Sequence, residues 1–199
     1  MDVAEILAEL EYIQDEFPRK AVENALANSE AVIPELLVVL ERAVIHARSI
    51  ATQPDYILHM YAIFLLAQFR EPRAYPLIAE LVSAPPEVVD DVLGDVVTED
   101  LCRILASVSC GDDSLLRELI ENENANEYVR DAALRALGIL VACGEKPREE
   151  VIDYFLELFN GRLVRSQSQV RNSLVSCSTD LYPEELYPDI LRCYEDDLI

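Results

Sequence analysis

Residues 114–140, SLLRELIENENANEYVRDAALRALGIL, are the stretch from which the fold can be argued. Apolar residues recur there every three or four positions on both sides of a short acidic turn, as one face of an α-helix requires. The second half places Val129 before Ala132, Ala133 and Ala136, small residues that allow close packing against a neighbouring helix. The stretch therefore predicts a helix, an acidic turn and a second helix that begins near Val129 and Arg130.

Parts of this stretch recur along the chain. The dipeptide Val129-Arg130 is found again as Val170-Arg171, a spacing that suits two-helix repeats of about 40 residues. A second motif, Tyr-Pro-x-Ile, begins at positions 75 and 187. An arginine in the first turn of a helix can reach back to acids of the preceding turn, which for Arg130 include Glu121 and Glu123.

The same helical periodicity extends over nearly the whole chain, and no convincing alternation typical of β-strands is present. Asp2 is a plausible N-cap, and Pro183 lies near a predicted helix start. Residues 56–69 are apolar on nearly all sides, which predicts a central helix buried on all sides. Gly138 lies inside a predicted helix, where we expect it to permit a close helix crossing. The prediction is one all-α domain, residues 1–199, with a HEAT/armadillo-like α-α superhelix: a right-handed solenoid of about five helix pairs.

The amino-acid composition limits the classes of function that the chain can have. It has 199 residues, of which 38 are acidic and 16 basic, and a net charge of -22 at pH 7. Such a protein repels the phosphates of nucleic acids and anionic membrane surfaces, so neither is expected as a partner. With 51% hydrophobic residues the chain can bury a core, which excludes disorder as its main state.

Residue counts argue against familiar catalytic and metal sites. The chain has five glycines, but no glycine-rich phosphate-binding loop and no Gly-x-Ser-x-Gly motif. Two histidines are too few for a multi-histidine metal site, and the five cysteines include no Cys-x-x-Cys pair. The odd number of cysteines and the acidic N-terminus, which lacks a signal peptide's basic segment, favour a cytoplasmic location. No cofactor is expected.

Several longer strings resemble one bacterial protein family. They are FPRKAV (17–22), LLAQFREPRAYPLI (65–78), DDVLGDVVTEDLCRILASV (90–108), NEYVRDAAL (126–134) and DLYPEELYPDI (180–190). Together they are similar to the uncharacterised family called domain of unknown function 1186. The resemblance implies a HEAT-like helical fold and no assigned activity. Some members continue into a cysteine-rich, zinc-binding tail, and because the printed chain ends at Ile199 without one, no zinc-dependent role is carried over.

A stretch of acids without a base is the first candidate binding site. It contains Asp90, Asp91, Asp95, Glu99 and Asp100. Asp91, Asp95 and Glu99 are four residues apart, and they would share one helical face if Gly94 did not interrupt it. Converging carboxylates suit Mg²⁺ or Ca²⁺, so a divalent-metal-dependent enzyme is the alternative function. The simpler interpretation is that Asp95 or Thr98 caps the next helix and that the acids favour its N-terminal dipole.

A second candidate site is the segment 158–179, which contains no acid. Arg162, Arg165 and Arg171 make it locally basic in an otherwise acidic protein. A guanidinium group can bind a carboxylate or phosphate through two parallel hydrogen bonds. The alternative is that these arginines pair with acids of adjacent repeats.

His59 lies four residues after Asp55, a spacing at which a carboxylate can orient an imidazole as a general base. A partly buried histidine with a hydrogen-bond partner is the simpler interpretation, and we expect it here.

The sequence favours a non-enzymatic helical-repeat scaffold that binds a protein or peptide, because stacked helix pairs form extended surfaces for such partners. The acidic excess predicts a basic or amphipathic partner whose binding weakens as salt rises. A homo-oligomer in which exposed end repeats stack on each other is a further alternative.

Overall fold

The computed structural model describes residues 1–182 and 184–199, and helices dominate this part of the chain. No strand occurs among these residues, in which one isolated antiparallel bridge joins Tyr12 to Tyr56. The predicted all-α class is therefore confirmed. Pro183, which we expected near a helix start, lies outside the described residues. None of the described helices combines the length and the apolar character needed to cross a membrane.

The helices group into two compact units. Unit 1 comprises residues 1–94 and 107–109, and unit 2 comprises residues 95–106 and 110–199. The helices up to residue 94 are α1 (Val3–Leu10), α2 (Arg19–Ala27), α3 (Ser29–Ile50), α4 (Leu58–Gln68), α5 (Ala74–Val82) and α6 (Pro86–Leu93). The later helices are α7 (Val96–Glu99), α8 (Leu101–Ser109), α9 (Ser114–Glu121), α10 (Glu127–Ala142), α11 (Arg148–Glu157), α12 (Gln169–Asp180) and α13 (Tyr187–Glu195). A π-helical turn, Leu158–Arg162, follows α11.

The first helix begins where the sequence predicts. The Asp2 carboxylate accepts a hydrogen bond of 2.8 Å from the backbone N–H of Glu5, and the Glu5 carboxylate accepts one of 2.9 Å from the backbone N–H of Asp2. This capping box gives partners to two amide groups that the helix itself leaves unsatisfied. Ile6 and Leu10 then place their side chains in the core.

Unit 1 is organised around α3, which packs against α4, α5 and α6. Leu36 and Leu40 of this helix are fully buried, as is Leu66 of α4. The helix has a kink at His46, whose φ of -116° and ψ of 22° are not helical. The prediction that residues 56–69 form a helix buried on all sides is only partly correct, because Phe64 on α4 is 39% exposed.

Unit 2 is organised around α10, which packs against α9, α11 and α12. The stripe predicted to face the core is buried along its whole length: Val129, Ala132, Ala133, Ala136, Leu137 and Leu140. Because alanine has only a methyl group, it allows neighbouring helices to approach closely, and the leucines fill the space that remains. The apolar period in the sequence therefore identified this core correctly.

Gly138, in the same helix, does not permit a close helix crossing, and that prediction is wrong. Apart from its chain neighbours and the nearby backbone of its own helix, no heavy atom of the described residues lies within 4 Å of the position that a Cβ would occupy at Gly138. The residue has helical backbone geometry and therefore lowers the helix propensity without allowing any close contact. What it leaves beside α10 is open space.

The buried stripe of α10 yields a test of the fold. Replacing the fully buried Leu137 by alanine should lower the free energy of unfolding by about 2–5 kcal/mol, because it removes apolar contacts and leaves a cavity. The matched control is Leu191→Ala on α13, whose side chain is 43% exposed and should cost about 0.5 kcal/mol or less. Urea denaturation followed by circular dichroism measures both. A loss below about 1 kcal/mol for Leu137→Ala would mean that the stripe is not core.

Candidate functional site

The acidic stretch extends from the end of one helix to the start of the next two. Helix α6 ends at Leu93, and Gly94 follows with φ 50° and ψ -133°, a conformation that glycine adopts easily. Asp91 thus lies on α6, whereas Asp95 and Glu99 lie at the two ends of α7, so the three do not share one helical face. In residues 1–182 and 184–199, no three His, Cys, Asp or Glu side chains are grouped so as to hold a metal ion.

The acids of this stretch have other roles or face solvent. Asp90 and Asp91 are exposed on α6. Asp95 occupies the N-cap position of α7, but its side chain accepts no capping hydrogen bond within the described part of the chain; its backbone carbonyl accepts one of 3.1 Å from the hydroxyl of Thr98. Asp100 forms an ion pair with Arg103, one helical turn later. Asp95 is therefore at the predicted N-cap position, but the prediction that its side chain caps the helix is wrong.

Two of the three predicted arginines pair with acids. Arg162 donates from Nη1 to the carboxylate of Glu121 at 3.0 Å, and its Nη2 lies 2.9 Å from the carboxylate of Glu157. Arg165 forms an ion pair with Asp196. Both arginine side chains are about half exposed, and exposed pairs of this kind contribute little to stability. Arg162 and Arg165 therefore both have acidic partners.

Arg171 has a different environment. It is only 2% exposed, and its Nη2 donates to the backbone carbonyls of Leu163 at 3.4 Å and Val164 at 2.8 Å. Its Nε has no hydrogen-bond partner among the described residues, and none of their carboxylates forms an ion pair with it. A guanidinium buried without a counter-charge is costly, because the protein interior solvates it less well than water.

Arg130, which lies in the first turn of α10 as Arg171 lies in the first turn of α12, also binds backbone rather than an acid. Its Nε donates to the carbonyl of Ile120 at 2.9 Å. Glu121, one of the acids expected to pair with it, instead accepts hydrogen bonds of 3.0 Å from Arg162 and from the hydroxyl of Tyr154. Burial lowers the pKa of the Arg130 guanidinium, and the nearby carboxylate charges only partly offset this effect. Arg130 and Arg171 therefore both donate to backbone carbonyls of the segment before their helix.

Both arginines line one small cavity within unit 2, which we call the arginine cavity. Its volume is about 220 Å³, and it is open to solvent on one side. The polar residues of its wall are Glu123, Arg130, Ser166, Ser168 and Arg171. They come from the turn before α10, the first turns of α10 and α12, and the loop between the π-helical turn and α12. The sequence singled out Arg171 but did not indicate that Arg130, from another helix, would join it.

A larger groove, also within unit 2, is the second candidate site. It has a volume of about 710 Å³ and lies between the first turn of α8, the exposed side of α10 and the end of α12. Its apolar wall contains Cys102, Gly138, Ile139, Val141, Ala142, Cys177 and Leu181, and polar or charged side chains stand at Arg103, Arg135, Arg148, Asp180 and Tyr182. Gly138 contributes to the groove because it carries no side chain. We call this feature the α10 groove.

The arginines of the α10 groove already have partners. Arg148 binds both carboxylate oxygens of Glu185 at 2.9 Å and donates to the carbonyls that follow α12. These hydrogen bonds lower the pKa of the Glu185 carboxyl to about 2. Arg135 forms an ion pair with Asp131 and donates to the carbonyl of Thr98 at 3.2 Å, and Arg103 binds Asp100. The positive charges of the groove are therefore largely compensated.

The two thiols of the α10 groove are poorly suited to covalent chemistry. Cys102 and Cys177 are each at least 95% buried. Burial, together with the charges of Asp131 and Asp180, raises the pKa of the Cys177 thiol to about 12. Because the thiolate is the reactive form, a thiol with this pKa is a weak nucleophile at neutral pH. Both cysteines therefore act as small apolar residues of the core.

His59, in unit 1, has the buried position that the simpler interpretation predicted. Its ring is 3% exposed, its Nε2 lies 2.9 Å from the carbonyl oxygen of Val92, and it stacks on Tyr56 with ring centroids 5.7 Å apart. Nδ1 has no hydrogen-bond partner among the described residues. Burial lowers the pKa of the imidazole, which the hydrogen bond to Val92 only partly opposes.

This lowered pKa makes the stability of the protein depend on pH. The unfolded chain binds a proton at His59 near the ordinary pKa of about 6.5, whereas the folded chain binds it only at lower pH. The stability from neutral His59 is therefore complete above about pH 6.5 and is lost below it, with a slope of at most about 1.4 kcal/mol per pH unit. His59→Gln should reduce this slope, and the exposed His46→Gln should not. Urea denaturation at pH 7.5 and 5.5 measures it; equal slopes in wild type and His59→Gln would contradict the assignment.

Comparisons with known proteins agree with the resemblance carried by the sequence strings. Two proteins named only as uncharacterized are similar to this chain, one from Chlamydia trachomatis serovar D (strain ATCC VR-885 / DSM 19411 / UW-3/Cx) and one from Chlamydia muridarum (strain MoPn / Nigg). Each is 43% identical over 199 residues, which is 100% of this chain and 79% and 80% of the respective relative. No solved structure matches the chain significantly. The family model described as protein of unknown function (DUF1186) matches residues 1–199, and the chain is therefore a member of that family.

Proposed function

We propose that the chain is a non-enzymatic, cytoplasmic scaffold that binds a basic, amphipathic segment of another protein in the α10 groove. In this proposal residues 1–199 form one HEAT-like helical-repeat domain. The observation that carries the proposal is the α10 groove itself, an open depression of about 710 Å³ with an apolar wall. Grooves of this kind between helices accept the apolar face of a partner helix or peptide.

The contacts of unit 2 support the repeat architecture. Helix α10 packs against α9 and α12, and α11 packs against both α10 and α12. Arg130 and Arg171 make equivalent backbone contacts at the start of α10 and α12, which is expected when two helix pairs have the same construction. In such proteins each pair buries its apolar face only against its neighbours, so stacked pairs share one core.

The charges around the α10 groove support a basic occupant. The whole chain carries a net charge of -22, and the three groove arginines form ion pairs with Asp100, Asp131 and Glu185. Asp180, at the end of α12, is exposed and forms no ion pair within the described part of the chain. A partner segment with apolar residues on one face would bury them against the apolar wall of the α10 groove. Lysines beside that face would then lie near Asp180.

Gly138 offers a direct test with a matched control. Gly138→Phe fills the groove with a side chain, whereas Gly138→Ala adds only a Cβ, which among the described residues meets no atom within 4 Å beyond its chain neighbours and its own helix backbone. The probe is a fluorescein-labelled helical peptide with leucines on one face and lysines on the flanks. We expect Gly138→Phe to weaken its binding at least about tenfold, a loss of about 1.4 kcal/mol, measured by fluorescence anisotropy. The peptide affinity of Gly138→Ala should lie within about twofold of wild type. Its free energy of unfolding should be about 0.5–1 kcal/mol higher, because alanine favours the helix more than glycine does.

The same titrations separate the two parts of the proposal. Unchanged affinity of Gly138→Phe would mean that the peptide does not bind in the α10 groove. A second peptide with glutamates in place of the lysines should bind more weakly, and the affinity of the lysine peptide should fall as sodium chloride rises. Equal affinity for both peptides, or no effect of salt, would contradict the electrostatic part.

A further inference from the structure

The arginine cavity contains two guanidinium groups without a carboxylate partner in a strongly acidic protein. Elsewhere in unit 2, arginines such as Arg117, Arg148 and Arg162 form ion pairs with acids. Arg130 and Arg171 form none within the described residues, although Arg171 is only 2% exposed. Buried charges in proteins are normally paired with a counter-charge or bound to a ligand, and nothing in the described chain pairs with Arg171.

Both guanidinium groups retain donors that the described residues do not use. Arg171 donates to carbonyls only from Nη2, and Arg130 donates only from Nε. A guanidinium has five N–H donors in one plane, so each group has further donors for a ligand. Because Nη2 of Arg171 and Nε of Arg130 are held by backbone carbonyls, the two groups are fixed in place before any ligand binds.

Two hydroxyl groups complete the donor set. Ser168 is the N-cap of α12, where its Oγ accepts a hydrogen bond of 3.2 Å from the backbone N–H of Arg171, so its own hydroxyl proton can be donated elsewhere. Ser166 lies in the exposed loop just before it. Both serines line the cavity with the first turn of α12, the helix end that favours negative charge.

We propose that the arginine cavity binds a phosphate-type oxyanion, either free phosphate or the phosphate group of a small molecule. Arg130 and Arg171 would hold the anion from two sides, and Ser166 and Ser168 would donate to its remaining oxygens. At pH 7 a phosphate group carries a charge of about -1.5 to -2, which balances two guanidinium groups, whereas one carboxylate would balance only one. A volume of about 220 Å³ accommodates a phosphate group with a short substituent. This site is separate from the proposed peptide groove.

Two carboxylates, those of Glu123 and Glu127, lie near the arginine cavity, and their negative charge opposes the binding of an anion. Glu123 lines the cavity and acts on Arg130 through its charge, without forming an ion pair with it. Glu127, the first residue of α10, reaches the start of α12, where its Oε2 accepts a hydrogen bond of 3.4 Å from the backbone N–H of Gln169. Replacing Glu123 by glutamine removes one repulsive charge and keeps the shape of the side chain. The phosphate affinity of Glu123→Gln should therefore rise.

Isothermal titration calorimetry of the whole chain with inorganic phosphate, in buffers matched for ionic strength with sodium chloride, tests the site. We expect one phosphate per chain, at least about tenfold weaker binding in Arg130→Gln, and severalfold tighter binding in Glu123→Gln. Ser166→Ala should weaken phosphate binding severalfold. Because Ser166 is exposed, this variant should still fold, so weaker binding would not reflect unfolding. The matched control is Arg165→Gln, which removes an equal charge from the same segment but not from the cavity wall, and should bind within about twofold of wild type.

Glycerol phosphate and succinate, titrated in the same way, identify the class of anion. Binding of inorganic phosphate supports the proposal, whether or not glycerol phosphate also binds. The ligand with the higher affinity shows whether the site prefers the free phosphate ion or a phosphate ester. Absence of phosphate binding to wild type would overturn it. Tighter binding of succinate than of phosphate would overturn it as well, and so would equal losses in Arg130→Gln and Arg165→Gln, because binding would then reflect net charge alone.

Discussion

The packing of α10 is the constraint on which both candidate sites depend. Its stripe of valine, alanines and leucines is buried against α9, α11 and α12, which fixes the direction of every other side chain on the helix. Residues off this stripe, among them Gly138, are left to line the α10 groove. The first turn, with Arg130, meets the arginine cavity. One buried face thus positions a groove and a cavity at different places along the same helix.

The distribution of charge separates the two sites chemically. The protein is strongly acidic, and arginines such as Arg162 and Arg165 form ion pairs with nearby acids, Glu121 and Asp196 respectively. Arg130 and Arg171 lie where helices begin and where backbone carbonyls of a preceding segment need donors. Binding a carbonyl satisfies a hydrogen bond but does not neutralise the charge of the guanidinium group.

Several predictions from the sequence were correct because they depended on local chemistry. The capping box at Asp2 and Glu5 requires only a three-residue spacing, and the α10 stripe only a helical period. The predictions that were wrong or only partly correct concerned neighbours distant in the sequence. Phe64 is partly exposed because no described helix covers that side of α4, and Gly138 faces open space because no described helix crosses there. Neither fact is encoded in the spacing of nearby residues.

The sequence by itself determined the all-helical class, the buried stripe of α10, the repeat of the Val-Arg dipeptide and the family to which the chain belongs. These follow from short-range periodicity and from residue identity, which a linear sequence contains in full. Only the tertiary structure decided which arginines would be paired, that Glu121 would bind Arg162 rather than Arg130, and that Arg130 and Arg171 would share one cavity. The reason is physical: pairing and cavity formation depend on distances between helices, and packing sets those distances.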